Sequence, residues 1–313
     1  TRLSLLIGQT PGNDTKLSEE KIAGYRNFTN KLWNICRFML LNIDEPKKDI
    51  KEIEIKTDAD NYIIEKLKTV IDEYNNSFNF FNFSFAGEQL RVFTWDELAD
   101  NYLEYSKIEG NKSEILNYIL NTVLKLWHPF MPFVTESIWK EVYGENEMLM
   151  VESGPVLNIK SNIGKEKEFV RNVKNVIAKI RTIRAENGIE PAKKIDVKIS
   201  AGDKLKLIEQ NAEIIKRHWT NIENLEVAKK IVKPTGWLGF VEGDIEVFVD
   251  LSGAIDKEKL HKEKENLEKY ILVQEKKLGN SAFVDNAPKE IVDAEKQKLK
   301  SAQEKLEKIK EQI

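Results

Sequence analysis

Arg26, Asn30, Asn34 and Arg37 follow one another at intervals of four, four and three residues, with Lys31 beside them. On a helix that spacing sets them along one polar face. Guanidinium, ammonium and amide groups are the side chains that hold phosphate oxygens and base edges in nucleic acids. The competing reading is a solvated face with no ligand. A second basic stretch carries Arg171, Lys174, Lys179, Arg181, Arg184, Lys193 and Lys194 against Glu168, Glu186 and Glu190. Local positive charge within a chain of net charge −3 is the footprint of an RNA-binding surface.

Bond-making chemistry has fewer candidates. His128, His218 and His261 are the only histidines and are too scattered for a His-based metal site. No Gly-rich phosphate loop, Gly-x-Ser-x-Gly elbow or nucleophile beside a base occurs. We therefore expect no catalytic residue and no metal in this chain. Cys36 is the single cysteine and lies between apolar positions, which reads as a small core residue. One cysteine permits neither an intramolecular disulfide nor a Cys-based metal site, as suits a cytoplasmic protein.

The elements that must position these residues are mostly helical. The 313 residues suggest two domains, or three if one is small. Gly 15 and Pro 8 make about 7% of the chain against a usual ~12%, so long helices are favoured over a propeller or sandwich. No uninterrupted apolar run reaches the ~18 residues of a membrane span. The chain starts at Thr1 and runs directly into Leu3–Ile7, and so reads as a piece of a larger protein.

From Ser18, a natural N-cap followed by Glu19 and Glu20, the apolar positions Ile22, Tyr25, Phe28, Leu32, Ile35 and Met39 mark a helix. A second helix begins near Thr57 or Asp58. The Phe78–Phe85 aromatics read as a tight connection with core rings, leading to a third helix that buries Leu90, Phe93, Leu98, Tyr102 and Tyr105. A fourth follows Asn111, and a short fifth ends near Tyr143. Residues 1–150 thus form an antiparallel helix bundle. Residues 151–252 form a small α+β domain, with a basic helix, a strand at Ile195–Ile199 and further strands near 224–228, 237–242 and 245–251. In 253–313 the heptad steps Leu299, Ala302, Leu306, Ile309 and Ile313 face Leu260, Leu267, Ile271 and Leu278, with Lys264 and Gln274 as polar interruptions. Gly279 and Pro288 punctuate the middle, which predicts an antiparallel coiled-coil hairpin. Phe283 at its tip is either a plug over the seam or a ring that stacks on a base.

Four strings carry a resemblance: Gly24-Tyr-Arg-Asn-Phe-Thr-Asn-Lys-Leu-Trp-Asn34, Phe93-Thr-Trp-Asp96, His128-Pro-Phe-Met-Pro-Phe-Val-Thr-Glu-Ser-Ile-Trp139 and Ile180-Arg-Thr-Ile-Arg-Ala-Glu186. Together with Ala282–Pro288, they resemble the C-terminal part of the bacterial valyl-tRNA synthetases, a class I aminoacyl-tRNA synthetase family. The resemblance spans nearly the whole chain. It implies a bundle that binds the anticodon stem and loop, and a hairpin that packs on the outer corner of tRNA(Val). The expected tRNA contacts are Arg26, Asn30, Lys31, Asn34, Arg37, Arg181, Arg184, Lys193 and Phe283, in a monomer. Neither a HIGH-like nor a KMSKS-like signature is present, and no editing domain. The resemblance therefore implies ATP, Mg and valine attachment for the intact enzyme, with no activity for this stretch alone. Two alternatives stay open: the same region of an isoleucyl or leucyl relative, and a non-catalytic helical module that docks proteins.

Overall fold

The computed structural model describes residues 1–8, 17–48, 50, 53–155, 159, 164–253, 257–279 and 289–312. It divides into two compact units, Thr1–Glu186 with Glu190–Asp250, and Asn187–Ile189 with Leu251–Ile313.

The first unit is built mainly on helices, and the two longest start on side-chain caps. Helix α1 is the short Arg2–Leu6, and α2 spans Glu19–Leu41. The Ser18 hydroxyl accepts the Lys21 N–H, and Phe28, Leu32, Ile35, Cys36 and Met39 form the buried stripe of α2. Helix α3, Asp58–Asn79, opens with a capping box between Thr57 and Asp60. Next, α4 (Phe83–Val92) continues through a π-helical stretch, Phe93–Tyr102, into α5 (Leu103–Glu109). The widened turns are braced from inside: Thr94 donates to the Leu90 carbonyl, and Trp127 Nε1 donates to Thr94 Oγ1 at 2.9 Å. Helix α6, Ser113–Trp127, is buried on nearly every side and forms the axis of the bundle. Helix α7, Pro132–Tyr143, starts on a proline, whose missing N–H costs nothing in a first turn.

One expectation is corrected here. The Phe78–Phe85 run does connect α3 to α4, but its rings are not all core. Phe78 stacks on Tyr74 and meets Phe130, whereas Phe80 is 83% and Phe81 76% exposed. Phe81 sits in the left-handed region, φ 56°, so the turn swings its ring and that of Phe80 into solvent.

Helix α8 (Lys165–Phe169) runs through a π-helical turn, Val170–Lys174, into α9 (Asn175–Glu186), which buries Val176, Ile177, Ile180 and Ile183. Strand β1 (Ile195–Ser200) is followed by α10 (Leu205–Gln210), α11 (Ala212–Arg217) and β2 (Ile222–Ala228), then β3 (Leu238–Glu242) and β4 (Ile245–Asp250). The four strands form a mixed sheet in the order β2-β1-β4-β3. Its one parallel pair, β1 with β2, is the pair that α10 and α11 connect, as a parallel connection needs a crossover. Each expected strand is present.

The second unit contains two long helices, α12 (Lys257–Leu278) and α13 (Lys289–Gln312), which pack side by side. Ile271, Gln274, Val292, Glu295 and Ala302 face inward. Gln274 is thus a buried polar residue of this helix pair. Phe283 lies outside the described residues.

Candidate nucleic-acid interface

Four of the five residues expected on the polar face of α2 form an open row. Arg26, Asn30, Asn34 and Arg37 are all exposed, and among the described residues none makes a side-chain hydrogen bond or ion pair. Lys31 differs from them. Its ammonium lies 3.0 Å from Asp100 and 3.3 Å from the centre of the Trp95 ring, so its charge is already engaged in holding α2 to the π-helical stretch.

Arg26 and Asn30 also border an apolar cleft of about 420 Å³, whose other walls are Thr1–Leu3 and Phe130–Val134. Arg2 helps shape it by donating to the Pro129 carbonyl at 3.0 Å. Phe133, at its rim, is 87% exposed. Two hydrogen-bonding side chains above an apolar floor can take a planar base edge-on and grip its phosphate from the side.

The α9 residues separate into two roles. Arg181 is exposed and carries no ion pair among the described residues. Arg184, one turn on, is only 4% exposed. Its Nη2 donates to the carbonyls of Glu190, Pro191 and Lys193 at 2.8, 3.3 and 2.7 Å. Burial lowers its pKa from the ordinary arginine value, and its Nη2 is committed to backbone carbonyls of the chain itself. Asn221 binds the same turn from the other side, donating to Pro191, Ala192 and Lys193. The turn is thereby fixed, and the Lys193 side chain projects from it into solvent. Lys174, by contrast, is neutralised by Glu97 at 2.6 Å, and Lys194 by Glu223 at 2.9 Å.

Buried titratable groups here are structural. Burial pushes the Cys36 thiol up to about 12, which removes it as a nucleophile at neutral pH. The His218 imidazole, buried against Tyr105, is pushed down to about 4 by burial and then by Arg181 and Lys174. In the unfolded chain it takes a proton as pH falls below about 6.5, whereas in the fold it stays neutral until about 4. The unfolded state binds more protons across that window, so stability falls as pH drops from 6.5 towards 4. We expect wild type to lose roughly 2 kcal/mol more than His218→Phe between pH 7 and pH 5. Urea melts of both proteins at the two pH values measure the difference.

Sequence reasoning missed Trp219, 61% exposed beside the Asn221 clasp, because an isolated aromatic between polar residues gives no periodic signal. It also missed the exposed aromatics at the α3–α4 turn. Among the described residues no group of His, Cys, Asp and Glu is arranged to hold a metal ion, and no helix is long and apolar enough to cross a membrane.

Two family models match the chain. Residues 60–199 match the anticodon-binding domain of tRNA ligase, and residues 254–313 match the valyl tRNA synthetase tRNA binding arm. Curated relatives extend the similarity to the whole chain. The valine–tRNA ligase of Enterococcus faecalis is 35% identical over 100% of this chain and 37% of its own length. That of Listeria innocua is 33% identical over 100% and 37%, and that of Thermotoga maritima 31% identical over 98% and 36%. The chain therefore spans little more than a third of the length of the curated relatives it matches. The α2 row precedes the stretch matched by the anticodon-binding model, but lies within the similarity to all three ligases.

Proposed function

This chain belongs to the valyl-tRNA synthetase family, matching the C-terminal region of its members, and we propose on that premise that it holds tRNA(Val) while the intact enzyme attaches valine. The observation that carries the proposal is the open row Arg26, Asn30, Asn34 and Arg37, three helical turns of unpaired donors beside an apolar cleft. Residues 1–150 act as the anticodon-binding bundle, 151–252 as a junction, and 253–313 as an antiparallel coiled-coil arm on the outer corner of the tRNA. Arg181 and Lys193 add phosphate contacts. Arg184 positions the turn that presents Lys193, and Lys31 braces α2. Phe283 belongs to the tip of the arm.

ATP and Mg chemistry falls, on this proposal, to the two thirds of the intact enzyme that this chain does not match. The protein acts as a monomer in the cytoplasm. The arm at 254–313, described as that of a valyl enzyme, favours valine over an isoleucyl or leucyl relative.

The test is tRNA(Val) binding across a salt series. Each phosphate contact contributes roughly −0.7 to −0.9 to the slope of log K against log salt. Arg26→Ala combined with Arg37→Ala should weaken binding and flatten the slope by about one to two units. An unchanged slope, with an intact circular-dichroism spectrum, would remove the α2 row from the interface. Absence of any salt-dependent tRNA binding by the wild-type chain would favour the protein-docking alternative.

A further inference from the structure

Trp219 has a backbone conformation that its residue type disfavours. Its φ is 60°, in the left-handed region where a bulky side chain is an outlier, and Asn221 follows at 48°. Such a conformation persists only where the surroundings determine it. Here they do so on both sides. His218, 2% exposed, lies with its ring 4.7 Å from that of Tyr105. Thr220 is fully buried and donates to the Ile215 carbonyl at 2.5 Å. Asn221 is clasped to the Pro191–Lys193 carbonyls. With its neighbours turned inward, the indole of Trp219 is held outward, 61% exposed.

A single exposed apolar residue is ordinary. This one is set apart by the frame around it. Two of the carbonyls clasped by Asn221, those of Pro191 and Lys193, are also held by Arg184 from the end of α9, so the 218–221 turn, the 190–193 turn and α9 form one braced cradle. Arg181 and Lys193, exposed and without an ion pair among the described residues, project from the same cradle. Arg181 lies near enough to Tyr105 and His218 to act on the titration of both. An outward-held flat ring on the same frame as two unpaired cations matches the chemistry of a nucleotide whose base is unstacked and whose neighbouring phosphates are bound.

We propose that Trp219 stacks on an unpaired base of the bound tRNA, with Arg181 and Lys193 on the neighbouring phosphates. The inference rests on the tRNA-binding reading above and adds to it a contact outside the bundle and the arm.

The experiment uses the full chain and a tRNA(Val) transcript, with Trp219→Asn and Trp219→Phe as variants. Asparagine tolerates the left-handed backbone, so it removes the ring without adding strain. Trp219→Asn should weaken binding about tenfold, while Trp219→Phe stays within about threefold of wild type. Neither should change the salt slope, because stacking neutralises no phosphate. Arg181→Ala combined with Lys193→Ala should flatten the slope by about one to two units. The melting midpoint of Trp219→Asn should be no lower than that of wild type. Binding by Trp219→Asn equal to that of salt-sensitive wild type would overturn the stacking role and leave the tRNA reading standing. A drop in its melting midpoint that accounts for the lost affinity would also overturn it, making the ring structural. If wild type does not bind the transcript at all, the tRNA reading falls first and this inference with it.

Discussion

Lys112→Ala is expected to lower the unfolding free energy of the first unit by about 3 to 5 kcal/mol, the cost of stripping one partner from a buried ion cluster. The Lys112 side chain is 4% exposed, and its ammonium touches Asp60 at 2.7 Å, Glu109 at 2.7 Å and Thr57 Oγ1 at 3.0 Å. Asp60 is committed on every side. One oxygen accepts from Tyr102 at 2.8 Å, and the other accepts the N–H groups of Lys56 and Thr57 at the start of α3. Deleting the ammonium leaves a buried carboxylate, Asp60, and a part-buried one, Glu109, without the cation that both of them touch. Lys112→Met, which keeps the aliphatic stem, should therefore be nearly as damaging as alanine, because charge outweighs packing here. Adding Asp60→Asn to Lys112→Met should recover part of the loss, since the two residues act as one unit. Denaturant melts measure all three variants. A loss below about 1 kcal/mol for Lys112→Ala would place the pair among surface salt bridges, which contribute that little.

The same cluster marks how much of the fold was legible. Thr57 and Asp58 stood out as a helix start because capping is local chemistry, settled within four residues. Strand β1 was equally plain, since the alternating, β-branched Ile195–Ile199 fits a half-buried pleat. The partnership of Lys112 with Asp60 was not legible, because it joins residues 52 apart. Arg184 shows the same blindness at shorter range. In sequence it is one more cation on a basic helix, and only the carbonyls of a turn six to nine residues later turn it into a buried clasp. Phe80 and Phe81 failed for a different reason: hydrophobic type argues for burial, but a left-handed residue in a two-helix turn overrides it. The π-helical Phe93–Tyr102 could not be foreseen, because its apolar residues satisfy the ordinary helical period nearly as well. For the candidate interface, the α2 row was readable because one helix holds all its members. The Trp219 cradle was not, because three separate segments assemble it.

Ending the chain after Leu251 should weaken tRNA(Val) binding by about one to two decades, the loss of one of the linked contact regions, while the melting of the first unit changes little. The second unit is organised to hold itself. Among its described side chains that face inward, Ile271, Val292 and Ala302 are apolar, but Gln274 and Glu295 are polar. The Glu295 carboxylate is bound by Lys298 at 2.9 Å and Lys277 at 3.2 Å, and these hydrogen bonds hold its pKa below the usual carboxylate range. Gln303 of α13 donates to Glu275 of α12 at 3.2 Å, a further pairing of the two helices. A seam with polar members holds two helices less firmly than an all-apolar one, and neither helix would persist alone in water. Joined in one chain, each keeps its partner at high effective concentration and needs no second copy. Raised salt should therefore loosen the arm before the body, because charge-assisted contacts in the arm replace apolar area. Circular dichroism of the full chain in a salt series, set beside that of the shortened chain, separates the two. If the shortened chain aggregates, the arm is structural. If it binds tRNA(Val) as tightly as the full chain, α12 and α13 serve another partner.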